Sequence, residues 1–211
     1  MRLDNWHNVE QNSDPWLDLR AGKVTGSSIG KVMANFGKAF GEPAKKLAVN
    51  LAVERVTGRR IENDGYSNSH MERGHEEEPI ARMRYEELYF MNVGNGGFFD
   101  NGDTGCSPDG IVSPEGIIEI KSVVPTTHYA NIKRGTFDPT YKWQFVFNLR
   151  ESGAKWLDFI SYCSSFPRSK NLYVYRIECD AVVDEAFMID KRLAEFEAMV
   201  SGIMEDIREA A

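Results

Sequence analysis

The stretch Ser107-Pro-Asp-Gly-Ile-Val-Ser-Pro-Glu-Gly-Ile-Ile-Glu-Ile-Lys-Ser122 constrains the fold of this chain more than any other. Two short runs of β-branched residues flank a Ser-Pro-Glu-Gly turn, which is the pattern of a hairpin. Along Ile117–Lys121 side chains alternate, so Glu119 and Lys121 share one face of the strand while Ile118 and Ile120 share the other. An apolar face backed by paired charges is common in surface strands; a third charge, Asp109, folded back towards them by the turn is not. A four-residue loop Ser113–Gly116 would set Val112 opposite Ile117, which puts Asp109 opposite Ile120 and not Glu119. Either a bulge shifts that register, or Asp109 lies in the Pro-Asp-Gly bend ahead of the strand. The second is favoured, because Pro108 and Gly110 bracket it with turn formers.

The chain around this hairpin has 211 residues, enough for one large domain (1–211) with a proper core. A 42% apolar share with 11% aromatics is that of a folded globular protein. No apolar run approaches the roughly 20 residues that span a bilayer. The opening MRLDNWHNVEQ is too polar for a secretory signal. Cys106, Cys163 and Cys179 are odd in number and form no C-x-x-C pair, which predicts reduced thiols, a cytoplasmic setting and no zinc ribbon. A formal charge of −7 argues against a protein that coats nucleic acid by bulk electrostatics, but not against an enzyme that meets DNA in a local groove. The basic pairs Lys45-Lys46, Arg59-Arg60, Lys133-Arg134 and Arg168 with Lys170 fit a solvated mixed surface.

No repeat, low-complexity tract or linker divides the chain. Asp14-Pro15 is a helix start for a short helix Pro15–Ala21, and Thr25-Gly-Ser-Ser opens another to about Asn35. Apolar spacing predicts helices over Pro43–Thr57, stopped by Gly58, and over 69–89, interrupted or started at Glu78-Pro79. Strands follow at Phe98–Asp100, Gly110–Val112 and Ile117–Val123, then a mostly helical stretch Thr126–Glu151. Strands Trp156–Cys163 and Leu172–Glu178 precede a last amphipathic helix from about Val183 to Arg208. The order predicts an α/β domain with a mixed central β-sheet flanked by helices.

Magnesium prefers hard oxygen ligands and takes one or two protein carboxylates, so Asp109 and Glu119 could supply such a pair from the two arms of one hairpin. Lys121, on the Glu119 face, could orient a water for attack on phosphorus. Taken alone, Pro-Asp followed by Glu-x-Lys is short and degenerate, and a surface Asp beside an exposed Glu/Lys pair fits it as well. The nearby DNGDTG (100–105) fails the EF-hand pattern, because Gly102 and Ile111 stand where ligands are needed. His70 and His75, five apart, lie off a common helical face and read as non-ligands. Trp16 reads most simply as core.

The run SPDG…GIIEIKS, with ten residues from Asp109 to Glu119, resembles the catalytic core of PD-(D/E)xK nucleases, and more narrowly the lambda-type phage exonucleases, the YqaJ-like viral recombinase family. Three further segments carry the resemblance in order. DPWLDLRAGKVTGSS (14–28) is similar to the family's W-x-x-x-R-x-G-x-[IV]-T-[AG]-S signature, GHEEEPIARMRYEE (74–87) to its acidic helix, and YKWQFVFNL (141–149) to its glutamine-bearing helix. The likeness spans roughly residues 14–178. It implies a restriction-endonuclease-like core in a single domain, with Asp109, Glu119, the backbone carbonyl of Ile120 and Glu78 around Mg2+ (Mn2+ substituting) and Lys121 as the catalytic lysine. Arg20, Ser27, Ser107 and Gln144 match the residues that bind a terminal 5′-phosphate. A second glutamine of the family pattern is absent, since Val146 stands in its place.

The resemblance further implies a 5′→3′ exonuclease on double-stranded DNA ends that releases 5′-mononucleotides and leaves a 3′ single-stranded tail. It implies a homotrimeric ring threaded by DNA, with Lys45, Arg59, Lys133 and Arg134 as candidates for its basic channel, and a single-strand annealing recombinase as partner. The setting would be the bacterial cytoplasm if the protein is phage or prophage encoded. No G-x-x-x-x-G-K-[ST] is present, so no ATP motor is implied. An endonuclease of the same fold, or a non-catalytic DNA-end-binding module, are the competing readings.

Overall fold

The structure, a computed structural model, describes residues 1–61 and 69–210. Its elements run β1 (Trp6–His7), α1 (Asp14–Arg20), β2 (Val24–Thr25), α2 (Ile29–Met33), α3 (Glu42–Thr57), α4 (Ser69–Tyr89), β3 (Phe98–Asp100), β4 (Thr104–Cys106), β5 (Gly110–Val112) and β6 (Gly116–Ser122). α5 (Pro125–Arg134), α6 (Lys142–Ser152), β7 (Trp156–Tyr162), β8 (Leu172–Glu178) and α7 (Val183–Glu209) complete it. The side chains of His70 and His75 lie outside the described residues.

The central sheet has the order β5-β6-β7-β8 and is mixed: β6 pairs β7 in parallel, and β5 and β8 add antiparallel edges. A second four-stranded sheet, β1-β3-β4-β2, is also mixed, and only its β3 was expected from the sequence. Strands of two or three residues carry no alternation to read. The DNGDTG segment is the turn between β3 and β4, closed by a 3.0 Å bond from the Gly102 amide to Asp100 Oδ1.

One core joins the two sheets. Phe99 and Cys106 of the small sheet pack with Ile117, Leu157 and Phe159 of the central one, beneath Phe145 and Leu149 of α6 and Ile189 and Phe196 of α7. On the opposite face of the central sheet Ile118, Ile120 and Ile160 meet Ala81 and Tyr85 of α4. Both faces of β6 are therefore covered. The surface-strand reading of Glu119 and Lys121 gives way to a central strand whose charges look into the protein.

α4 runs through Pro79 without the expected break. α1 is capped by Ser13, whose hydroxyl accepts from the Trp16 amide, so Asp14 is the first helical residue and not the cap. α3 ends where Gly58 takes φ +64, a left-handed conformation that costs glycine little. No helix among the described residues is long and apolar enough to cross a membrane.

Candidate active site

The hairpin register differs by one residue from the four-residue loop expected. Val112 pairs with Gly116, Ile111 with Ile117 and Gly110 with Ile118, leaving a three-residue loop. Gly116 belongs to the strand because the Trp156 indole lies where its side chain would be. Continuing the register brings Asp109 level with Glu119, not with Ile120. Asp109 itself lies in the bend before β5, as the flanking Pro108 and Gly110 imply, and its amide donates to the Ile118 carbonyl at 3.0 Å.

β5 stops at Gly110, so β6 loses its partner on that edge from Glu119 onward. The Asp109 side chain takes the vacated place: its Oδ2 accepts from the Ile120 amide at 2.7 Å. Strand parity turns the Ile120 carbonyl to the same open edge. On the α6 face, Glu119 is 1% exposed. Its Oε2 accepts from Lys121 Nζ at 3.0 Å and from Gln144 Nε2 at 3.1 Å, and its Oε1 from Asn148 Nδ2. Burial, then the charge of Asp109, pushes the Glu119 carboxyl up to about 8. Burial works to lower the Lys121 ammonium, but Glu119 and Asp109 outweigh it and raise it above its ordinary value. The ammonium also faces the Tyr141 ring at 5.5 Å.

α4 delivers Glu78 from the other side. Its Oε1 takes Arg82 Nη2 at 3.2 Å, and the same nitrogen bonds the Asp109 carbonyl, which ties α4 to the hairpin. Burial, then Asp109, pushes the Glu78 carboxyl up to about 7. Among the described residues no three His, Cys, Asp or Glu side chains close on one point. The donor set is thus the Asp109–Glu119 pair with the Ile120 carbonyl, and Glu78 is engaged by Arg82. Two carboxylates and a carbonyl are hard oxygens in the number magnesium takes from a protein, so a divalent cation fits.

The remaining candidates gather in one cavity of about 210 Å3 beside Asp109, lined by Trp16, Arg20, Ser27, Ser107, Gln144 and Asn148 among others. The Arg20 guanidinium lies over the Trp16 ring at 4.0 Å and donates to Ser27 Oγ at 3.1 Å. No carboxylate pairs with it among the described residues. Burial lowers it to about 10, leaving it charged at neutral pH. A half-buried, unneutralised guanidinium beside two hydroxyls is a receptor for an anion. Trp16 does more than fill the core, for its Nε1 donates to Ser107 Oγ at 2.7 Å and so joins Arg20 to Ser107.

A second cavity, of about 400 Å3, shares Gln11 and Asp109 with the first and runs along Glu78, Arg82 and Met83. Of the channel candidates, Lys45 is paired with Glu42 and Arg134 with Asp138, and none of Lys45, Arg59, Lys133 and Arg134 lines either cavity. Sequence reasoning missed Arg82, Asn148 and Gln11, which donates to the Pro108 carbonyl at 3.0 Å. For Asn148 a signal existed: it stands four residues after Gln144, on the same helical face.

This architecture has solved counterparts. An alkaline exonuclease (LHK-Exo) from Laribacter hongkongensis is 32% identical, with a TM-score of 0.77 over 94% of this chain and 100% of that one. Its complex with dAMP matches with a TM-score of 0.78, at the same identity and coverage. A phage-related exonuclease from Haemophilus somnus 129PT, 16% identical, shares the fold with a TM-score of 0.66 over 90% of this chain and 96% of that one. Comparison with curated proteins finds no match. Fold and site together define a nuclease of the exonuclease type. Residues 15–155 match the model of the YqaJ-like viral recombinase domain, and the chain belongs to that family.

Proposed function

We propose that this nuclease is a Mg2+-dependent 5′→3′ exodeoxyribonuclease that degrades one strand from a 5′-phosphorylated duplex end, releasing 5′-mononucleotides and leaving a 3′ tail. The observation that carries the reading is the shared cavity, in which an anion-receptive guanidinium, Ser27, Ser107 and Gln144 stand beside Asp109. A terminal phosphate bears more charge than a bridging one, so a pocket built for it selects an end. Ser107 lies two residues before Asp109, which sets the next phosphodiester close to the acidic pair. The complex of the similar Laribacter exonuclease with dAMP, a mononucleotide, agrees with such a product.

In this scheme Asp109, Glu119 and the Ile120 carbonyl would hold the cation. When bound, it would supply Lewis-acid stabilisation of charge at the scissile phosphate. Lys121 donates to the phosphate oxygens or to the attacking water, and Glu119 and Tyr141 fix the direction of its ammonium. Arg20, with Ser27 and Ser107, anchors the terminal phosphate. Glu78, steered by Arg82, offers a further carboxylate over the same edge. By family likeness the working form is a trimeric ring, the partner a single-strand annealing recombinase that loads on the tail, and the place of action the bacterial cytoplasm.

The deciding experiment is digestion with Mg2+ or with EDTA of three substrates: a linear duplex with 5′-phosphate, the same duplex with 5′-hydroxyl, and a covalently closed circle. Mononucleotides should appear fastest from the phosphorylated duplex and not from the circle. Equal cleavage of circle and linear DNA would replace the exonuclease by an endonuclease. A monomer by light scattering at working concentration would remove the ring.

A further inference from the structure

Asn148 is 1% exposed, and its two polar atoms have unequal fates. Nδ2 donates to Glu119 Oε1, while Oδ1 has no hydrogen-bond partner among the described residues. The amide turns its NH2 to Glu119, the orientation an ionised, cation-holding carboxylate requires, since only the NH2 can donate to it. Oδ1 therefore points at Gly26, where any Cβ would overlap it. Gly26 is needed there for space and not for conformation, because its φ lies outside the left-handed region.

Three segments meet on this residue. Its carboxamide touches β6 through Glu119 and the Thr25-Gly26-Ser27 turn through Gly26, and its main-chain carbonyl accepts from Cys106 Sγ at 3.7 Å, one residue before Ser107. A leucine could fill the same space without burying the unpartnered Oδ1. What leucine lacks is a donor for Glu119 Oε1, and among the described residues no other group supplies one, since Lys121 and Gln144 both bond Oε2. Gln144 and Asn148, four apart on α6, thus hold one carboxylate oxygen each.

We infer that Asn148 is a positioning residue that locks the orientation of Glu119 and couples it to the turn carrying Ser27. This rests on the nuclease reading above, in which Glu119 holds the cation. Groups that orient a metal-binding carboxylate change metal affinity about ten- to a hundredfold when removed.

The test measures Mn2+ affinity by isothermal titration calorimetry, together with kcat and KM on 5′-phosphorylated duplex, for wild type, Asn148→Ala, Gly26→Ala and the double variant. Asn148→Ala should weaken Mn2+ binding about tenfold or more and lower kcat in step. Gly26→Ala removes no polar side chain of the site but pushes the Asn148 amide off Glu119, so it should do the same. The double variant should be no worse than Asn148→Ala alone, because the displaced group is already gone. Wild-type Mn2+ affinity and kcat in Asn148→Ala, within twofold, would overturn the inference and leave the nuclease reading standing. Wild-type protein that neither binds Mn2+ nor digests DNA would overturn both. Should Asn148→Ala fail to fold by circular dichroism, Gly26→Ala decides alone, unchanged affinity counting against the inference.

Discussion

Two buried carboxylates stand on neighbouring strands of the central sheet, on opposite faces, and their surroundings differ. Asp158 of β7 is fully buried; Arg176 grips it with two bonds of 2.7 and 2.8 Å, Tyr85 adds a third at 2.6 Å, and the guanidinium lies over Trp156 at 3.7 Å. Each of its oxygens is met by a charged or hydroxyl donor. Glu119 of β6 is just as buried, yet Asp109 and Glu78 both raise its carboxyl, and a cavity containing Asp109 and Arg20 adjoins it. Burial of a charge is thus common to a structural clamp and to a reactive site. What separates them is the convergence of like charges at an opening, which leaves a place for a cation.

Substitutions on the two sides should part sharply. Lys121→Ala and Glu119→Gln should each lower hydrolysis on the order of 10³-fold or more while duplex binding survives. A rate within tenfold of wild type would remove that residue from the mechanism. Asp158→Asn should instead leave the specific rate of folded enzyme near wild type and cost about 2–3 kcal/mol in urea unfolding. That is below the usual penalty for breaking a buried pair, because the Arg176 side chain is 37% exposed and regains water. Mn2+ sharpens the contrast: it should raise the melting temperature of wild type and of Asp158→Asn, and not that of Glu119→Gln. A melting-temperature rise in Glu119→Gln equal to the wild type's would put the cation elsewhere.

The same contrast marks what was legible in the sequence. The long helices and the strands β6 to β8 follow from periodicity, β5 from the turn that pairs it with β6, and Asp109, Glu119 and Lys121 stand out as charges in an apolar hairpin. The Asp158 clamp was invisible, since Arg176 and Tyr85 meet it only after β8 and α4 pack on β7. Register failed by one residue because Gly116 reads as a turn former until Trp156, forty residues on, covers it. Arg20, Ser27, Ser107 and Gln144 came from family likeness, for alone Arg20 reads as a helix C-terminal cation, Ser27 as a cap and Gln144 as a surface amide. The small sheet was missed because β1 and β2 hold two residues each.

Smaller effects probe the edges of the two sites. Arg20→Ala should cost roughly ten- to a hundredfold on 5′-phosphorylated ends and little on 5′-hydroxyl ends, the worth of a charged hydrogen bond or two. Comparing kcat/KM for the two substrates measures it, and an equal loss on both would place Arg20 in general DNA binding.

Tyr85→Phe should give the smallest change and bears directly on the comparison. The hydroxyl is one of three donors to Asp158, and its removal leaves both Arg176 bonds in place, so about 1 kcal/mol of stability should be lost. Tyr85 also sits on α4 one turn beyond Arg82, which ties Glu78 to the Asp109 carbonyl. If the clamp only seals the sheet face, the rate should stay within about twofold while the urea midpoint falls. If it also sets the pose of α4 over the hairpin, kcat should fall by more than the lost stability explains. The two faces of the sheet would then form one device, and the division drawn between clamp and site would fail.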